Sequence, residues 1–327
     1  MRKIVILAIV LAVSGILFAY PATPRVLSST SSHYLRSLLY FKDGNYQGAY
    51  DELGVVKVLD PYSGYLHLKA AFLLLKLGKD AEAEKEFKKA KGLSPDNLDI
   101  SIALIFFYAS KEMGKELESE YQYFLEKVHQ LRPQNVRISE YLGQFYFYKK
   151  MHKEAIKVYQ AIIKQKPDFA EGYFWLGYFY EETGERKKAI SMWKKTLTFD
   201  IKHADALNSL GYIYAEEGIN LDEAEGLVKR ALEGDSDNGA YLDSLGWIYF
   251  KKEDYKQAEE YLVKALKYLK EPVIYEHLGD LYVKLKDIDK ALKFYKEGLV
   301  LDPEDDSLKR KIVEYEKKDS TVTKESE

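Results

Sequence analysis

A short pattern of apolar, small and aromatic positions recurs along the second half of the chain. The pattern is Leu-Gly-x-x-Tyr, and its glycines are Gly143, Gly177, Gly211, Gly246 and Gly279. The steps between these glycines are 34, 34, 35 and 33 residues. A fixed period of this length predicts an array of similar structural units. Each unit is too small to bury its own apolar face, so neighbouring units must stack on one another.

A second pair of positions follows each of these patterns at a nearly constant distance. Twelve or thirteen residues after each Gly comes an Ala, and four residues later comes a bulky apolar residue. Gly inside a helix costs about 1 kcal/mol relative to Ala, so its repetition indicates the close approach of a second helix. The Ala would then supply a matching small surface on that second helix. The pairs are Ala155–Tyr159, Ala189–Trp193, Ala224–Val228, Ala258–Leu262 and Ala291–Tyr295.

These positions resemble the tetratricopeptide repeat, a helix-turn-helix unit of about 34 residues. The resemblance extends over residues 30–305 and implies an all-α, right-handed superhelical solenoid of about eight units. The stretch 98–135 departs most from the family pattern because it is about four residues too long, so its register and helix boundaries stay open. The implied units are 30–63, 64–97, 98–135, 136–169, 170–203, 204–238, 239–271 and 272–305.

The amino terminus has the pattern of an export signal. Arg2 and Lys3 precede an uncharged, mostly apolar stretch at 4–20. This pattern predicts that residues 1–20 are a cleaved signal peptide, ending at Ala19, or a retained membrane anchor, and a buried core helix is a third reading. The Pro-, Ser- and Thr-containing residues 21–32 are predicted to be a flexible spacer.

The carboxyl terminus is predicted to close the array. Residues 306–318 place Leu308, Ile312, Val313 and Tyr315 among many charges, which indicates one amphipathic capping helix. The polar residues 319–327 are predicted to be disordered.

Composition narrows the range of functions. The formal net charge is -3, so the chain lacks the basic character expected of a non-specific nucleic-acid binder. The chain has no Cys, which excludes disulfides, thiolate catalysis and thiolate metal sites. Tyr is over-used, at 28 residues against 15 Phe, and the recurring Tyr of the repeat explains part of that excess.

The sequence contains no recognisable catalytic, cofactor-binding or metal-binding motif. It has neither a phosphate-binding Gly-rich loop nor a Gly-x-Ser-x-Gly nucleophile elbow, and its six His are scattered singly. Carboxylates alternate with Lys, as on ordinary solvated helix faces. We therefore expect a protein that is not an enzyme and that needs neither a cofactor nor a metal.

The resemblance also implies where a partner would bind. In the tetratricopeptide family the first helix of each unit lines a concave groove. The positions three residues before and one residue after the Gly are four apart, and so share one helix face. Their aromatic and acidic residues could instead pack between neighbouring helices, and that alternative stays open. The predicted partner-binding residues are Glu140, Gln144, Phe174, Tyr178, Asn208, Tyr212, Asp243, Trp247, Glu276 and Asp280, and the same register extended upstream adds Phe72 and Phe106.

These observations favour a non-catalytic interaction scaffold or assembly factor that is exported and acts in the periplasm or elsewhere at the cell envelope. Its expected partner is a protein or peptide segment with apolar anchors and some basic charge. We expect no nucleic-acid partner, and membrane contact only through residues 4–20. Carbohydrate or other ligand binding in the groove, RNA binding by a related helical repeat, and an enzyme with an unrecognised site are the alternatives.

Overall fold

The computed structural model describes residues 30–325, and every regular element in that range is an α-helix. The predicted all-α repeat fold is therefore confirmed. Sixteen of the seventeen helices form eight helix-turn-helix pairs, and one further helix follows them. The pairs are α1 (Thr30–Lys42) with α2 (Tyr46–Leu59), α3 (Gly64–Lys76) with α4 (Asp80–Leu93), α5 (Leu98–Ser110) with α6 (Gly114–Leu131), α7 (Val136–Tyr148) with α8 (His152–Gln165), α9 (Ala170–Glu182) with α10 (Arg186–Phe199), α11 (Ala204–Glu217) with α12 (Leu221–Gly234), α13 (Gly239–Lys251) with α14 (Tyr255–Tyr268), and α15 (Pro272–Lys284) with α16 (Ile288–Leu301); the last helix is α17 (Asp306–Glu325).

The chain separates into two compact units, the first ending at Phe145 and the second beginning at Tyr146. The boundary falls inside α7. The leader or anchor at 1–20 and the spacer up to residue 29 lie outside the described residues. The last three spacer residues are helical, because α1 already begins at Thr30. No helix within residues 30–325 combines the length and apolar character needed to cross a bilayer.

The two helices of every pair are joined through a residue with a left-handed backbone. Four of these residues are Gly, for which this conformation carries no steric cost. Glu112, Lys150, Glu253 and Lys286 adopt the same conformation in the other four pairs, with φ between 58° and 62°. The turn geometry is thus kept even where the sequence offers no Gly.

The Gly of the recurring pattern lies where the two helices of a pair meet. A Cβ atom at Gly177 would lie 2.5 Å from Trp193, and one at Gly279 would lie 2.1 Å from Tyr295. Gly211 and Gly246 face Val228 and Leu262 in the same way. The nearest side chain is therefore the bulky residue four positions after the Ala, rather than the Ala itself. The five Ala residues are completely buried beside it.

The extra residues of the stretch 98–135 lengthen its second helix. Helix α6 has 18 residues, whereas every other second helix has 14. Four residues are about one helical turn. The register that the sequence left open is thus resolved by one added turn, after which the exposed segment 132–135 leads to α7.

Helix α17 covers the last pair, but it differs from the predicted cap. Leu308 and Ile312 are buried, whereas Val313 is 51% exposed and contributes little to this contact. The Tyr315 ring stacks on Tyr295, with centroids 6.2 Å apart. The helix continues to Glu325, so most of the segment predicted to be disordered is helical. The physical reason is that no Gly or Pro after Asp306 stops the helix.

Candidate partner-binding site

The second unit contains an open cavity of about 570 Å³ between its first helices. Its walls come from α9, α11 and α13, from one residue of α10, from the segment between α14 and α15, and from the start of α15. Four of the predicted partner-binding residues meet there, on three successive first helices. The lining residues are Tyr178, Glu181, Glu182, Trp193, Asn208, Ser209, Tyr212, Ile213, Glu216, Ala240, Asp243, Ser244, Leu269, Glu271, Val273 and Ile274.

The position two residues before the repeat Gly explains why the cavity lies here. Trp175 and His277 occupy this position in α9 and α15, and His277 covers the preceding helix. In α11 and α13 the same position holds Ser209 and Ser244, and both serines line the cavity. Two small residues therefore leave open the space that an aromatic ring fills in the neighbouring repeats.

Tyr178 and Tyr212 form the aromatic part of the wall. The Tyr178 ring lies edge-on to Phe147 at 5.3 Å and to Trp175 at 5.9 Å, which fixes its orientation. Both tyrosines are only partly buried. Partly exposed aromatic rings held in one orientation are the side chains that most often anchor protein interfaces.

The rest of the wall is acidic. Five carboxylates line the cavity and no Lys or Arg does. Burial and the nearby carboxylates of Glu216 and Asp243 raise the pKa of Tyr212. Burial and the charge of Glu182 likewise raise the pKa of Tyr178. The cavity is thus a region of negative potential with two aromatic walls.

Several polar atoms of the cavity wall have no hydrogen-bond partner among the described residues. The indole Nε1–H of Trp193 is one, although Trp193 is only 3% exposed. The Asn208 Oδ1 atom and the Glu181 Oε2 atom are two more. Each unsatisfied buried donor or acceptor costs the protein about 1–3 kcal/mol.

Two predicted groove aromatics are packed inside the protein. Trp247 is 6% exposed, stacks on His277 at 4.0 Å and donates its Nε1–H to Glu216 at 2.6 Å. Phe174 is buried, with its ring 4.8 Å from His203. For these two residues the packing alternative describes the structure better than the groove alternative.

The two acidic residues predicted on α15 bind the last helix. Lys311 of α17 lies 2.8 Å from Glu276 and 2.6 Å from Asp280. Ser307 donates a hydrogen bond to Glu276, and Tyr295 donates one to Asp280. Helix α17 thus occupies the face that the family register assigns to a partner.

The remaining predicted residues belong to the first unit. Glu140 is partly buried and Gln144 is exposed on α7. Phe72 and Phe106 are exposed on α3 and α5. Phe72 lines a separate, mainly apolar cavity with Leu38 and Phe41. Gln144, Phe72 and Phe106 share a helix position with the cavity tyrosines, but they do not line the same cavity.

Sequence reasoning missed five important parts of the site, namely Glu181, Glu182, Trp193, Glu216 and Glu271. Glu182 and Glu271 lie at helix ends, outside the two positions that the register selects. A usable signal was nevertheless present, because α9 and α11 each carry three carboxylates and no Lys or Arg. Trp193 was predicted only as the bulky residue that follows Ala189, yet it packs against Gly177 and also lines the cavity.

Family models of the tetratricopeptide repeat match four segments, residues 65–97, 143–184, 240–268 and 272–305. The chain contains tetratricopeptide repeats. No curated protein sequence matches it.

Solved structures similar to this tetratricopeptide repeat protein have the same fold at low sequence identity. The match to a tetratricopeptide repeat protein from Parabacteroides merdae covers 77% of this chain and 98% of that protein, with 16% identity and a TM-score of 0.56. The match to the type IV pilus biogenesis factor PilW covers 65% of this chain and 97% of PilW, with 18% identity and a TM-score of 0.52. The match to the Cut9–Hcn1 structure of the APC/C covers 83% of this chain and 52% of that one, with 16% identity and a TM-score of 0.56.

The buried histidines of this tetratricopeptide repeat protein have structural partners. His67 pairs with Glu86 at 2.5 Å, and the His277 Nδ1 atom lies 2.8 Å from Asp243. Each pair joins two helices. Within the described residues no three His, Asp or Glu side chains are grouped as metal ligands would be.

Proposed function

We propose that the protein is a non-catalytic interaction scaffold or assembly factor that holds a partner segment in the cavity of its second unit. The observation that carries the proposal is that Tyr178 and Tyr212 are held at the edge of an open cavity of about 570 Å³. Tetratricopeptide repeats commonly mediate protein–protein interaction, and the fold of this chain supports that general role.

The proposed partner is a protein segment that places an apolar or aromatic group between the two tyrosines. Buried Tyr contacts contribute disproportionately to interfaces, at about 2 kcal/mol or more where they are well packed. The cavity is large enough for two or three side chains but not for a folded domain. We therefore expect an extended or helical segment of the partner to enter it.

We further propose that this binding takes place outside the cytoplasm, at the cell envelope. The support is the basic start at Arg2 and Lys3, followed by the uncharged stretch 4–20. The likeness to a type IV pilus biogenesis factor agrees with an envelope role but shares only the fold. N-terminal sequencing of the protein purified from its own cells tests this part. A mature chain starting at Tyr20 supports export with cleavage, and an intact Met1 together with a cytoplasmic location contradicts export.

The cavity is tested with the double variant Tyr178→Ala/Tyr212→Ala. A photo-crosslinking residue at position 273, where the exposed Val273 borders the cavity, should trap one discrete partner in cells, to be identified by mass spectrometry. The double variant should lower the affinity for that purified partner by at least about tenfold. The matched control is Tyr62→Ala/Tyr268→Ala, two exposed tyrosines outside the cavity, and it should bind normally. Equal affinity of the two double variants would refute the proposed site.

A further inference from the structure

Charge is separated between the first and second helices around the cavity. Helices α9 and α11 each carry three carboxylates and no basic residue. Helix α10, the second helix between them in the chain, carries one Arg and four Lys and no carboxylate. An ordinary solvated helix mixes both signs. The acidic character is therefore concentrated on the helices that line the cavity.

The structure fixes two of the cavity carboxylates in place. One oxygen of Glu216 accepts the indole N–H of Trp247 at 2.6 Å. One oxygen of Asp243, which is 5% exposed, lies 2.8 Å from the His277 Nδ1 atom. Each contact orients its carboxylate without introducing Lys or Arg. Carboxylates held in this way are pre-organised acceptors, because they lose little freedom when a donor arrives.

A second observation, independent of the acidic residues, is the pair of Tyr rings in the cavity wall. Tyr178 and Tyr212 both line the cavity and are only partly buried. The faces of such rings attract a cation, and a planar cation can also stack on them. The cavity thus presents aromatic surface as well as carboxylates to a positively charged group.

We propose that the cavity is a binding site for an Arg side chain of the partner segment, with the guanidinium between Tyr178 and Tyr212 and paired with Glu216 and Asp243. This inference rests on the proposed function and specifies the chemistry of the partner. A planar guanidinium can stack on a Tyr ring while its five N–H donors meet carboxylates. Lys offers a compact charge without that planar surface, so it should bind more weakly. A terminal carboxylate of a peptide would be repelled.

Among the described residues, the nearby cations of the protein pair with only one cavity carboxylate, Glu181. Arg186 is engaged by Glu181 at 3.2 Å and by Glu217 at 2.7 Å, on the rim. Lys311 is engaged by Glu276 and Asp280 on α15. Glu182, Glu216 and Glu271 have no Lys or Arg within ion-pair distance in the described part of the chain. The negative potential is therefore left for a partner to neutralise.

The proposal is tested with synthetic peptides and the full chain. The probe is a library of acetylated and amidated octapeptides in which one central position is fixed as Arg, Lys, citrulline or Leu and the others are random. Citrulline has the shape of Arg without its charge. We expect the Arg library to bind best, and its best peptide to lose about tenfold in affinity when Arg is replaced by citrulline. The affinity should also fall as salt is raised.

The matched protein variants neutralise two carboxylates each. Glu216→Gln/Asp243→Asn should lower the affinity for the Arg peptide about tenfold, while leaving the citrulline peptide unchanged. Gln at 216 can still accept the Trp247 N–H, so the wall stays intact. The control Glu223→Gln/Glu233→Gln changes the same number of charges on the exposed face of α12 and should have no effect.

The outcomes separate this inference from the proposed function. In one outcome, Leu and citrulline peptides bind as tightly as Arg peptides and lose this binding in Tyr178→Ala/Tyr212→Ala. That result would overturn the Arg site but would still support a peptide-binding cavity. If the α12 control weakened the binding of Arg peptides equally, the loss of affinity would be explained by net charge alone. That result would also overturn the Arg site. If no peptide of any library bound, both the site and the proposed cavity would be refuted.

Discussion

The contact between the repeat Gly and the second helix can be tested by adding a single methyl group to the Gly. In Gly279→Ala the new Cβ would lie 2.1 Å from Tyr295 Cε1 and 2.4 Å from Cδ1. Non-bonded carbons pack at about 3.5–4.0 Å, so the ring or one of the helices would have to move by more than about 1 Å. The Tyr295 ring is completely buried, and its hydroxyl donates a hydrogen bond to Asp280 at 2.6 Å.

The expected effect is a balance of three terms. Overpacking a close contact costs about 1–3 kcal/mol. Displacing the Tyr295 ring also weakens the hydrogen bond to Asp280, at about 1 kcal/mol. Ala favours the helix over Gly by about 1 kcal/mol, which offsets part of this loss. We therefore expect Gly279→Ala to lower the free energy of unfolding by about 1–3 kcal/mol.

Gly226→Ala is the matched control, because Gly226 is also inside a helix and nothing lies within 4 Å of the added Cβ. This variant should raise the free energy of unfolding by about 0.5–1 kcal/mol. Urea unfolding followed by circular dichroism at 222 nm measures both. The two substitutions should shift the midpoint in opposite directions. A stabilising effect of Gly279→Ala would show that the helices do not approach as closely as described and would refute the reasoning.

Four further changes test other parts of the molecule. Burial would raise the pKa of Glu225, but hydrogen bonds from Lys229, Lys252 and Tyr249 lower it to about 2. Glu225→Gln should therefore lower the free energy of unfolding by about 1 kcal/mol at pH 7. The difference from wild type should disappear as the pH falls from about 4.5 to 2. Lys311→Met should destabilise α17 by about 1–2 kcal/mol and hasten hydrogen exchange there first, because two carboxylates lose their partner. Ser209→Trp should fill the cavity and abolish partner binding, with less than about 1 kcal/mol change in stability because Ser209 borders open space. Limited chymotrypsin digestion should cut first within 98–135, and a first cut elsewhere would contradict the idea that this stretch is the weakest part of the array.

The fold could be predicted because the residues that pack the two helices together belong to the same repeat. A small residue on one helix and a bulky residue on the next recur at fixed spacing, and both belong to one unit of 33–35 residues. Local information is then sufficient, since the contact between Gly279 and Tyr295 is made within a single pair. The same argument missed the exact partner of the Gly, because spacing alone does not distinguish the Ala from the bulky residue one turn later.

The candidate site could be predicted only in part, because what covers a helix face is decided by other repeats. The register placed Tyr212 and Trp247 at equivalent positions, yet Tyr212 borders a cavity and Trp247 is buried beneath His277. It also placed Asp280 on the groove face without indicating that Lys311 of α17 would bind it. Neither contact can be deduced from the helix that carries the predicted residue.

The cavity follows from one position that varies while the packing residues around it stay constant. Directly before each Leu-Gly the chain has Tyr141, Trp175, Ser209, Ser244 and His277 in turn. This position lies outside the contact between the two helices of a pair, so its size can change without altering the fold. An aromatic ring at this position fills the space beside the preceding helix, as His277 does next to Asp243. A Ser at this position leaves that space open. In a stacked array, binding sites can therefore be made or removed at single positions, because each covers only its neighbour. The same reasoning gives a rule for reading such a sequence: the open cavity is to be sought where two successive units place a small residue directly before Leu-Gly.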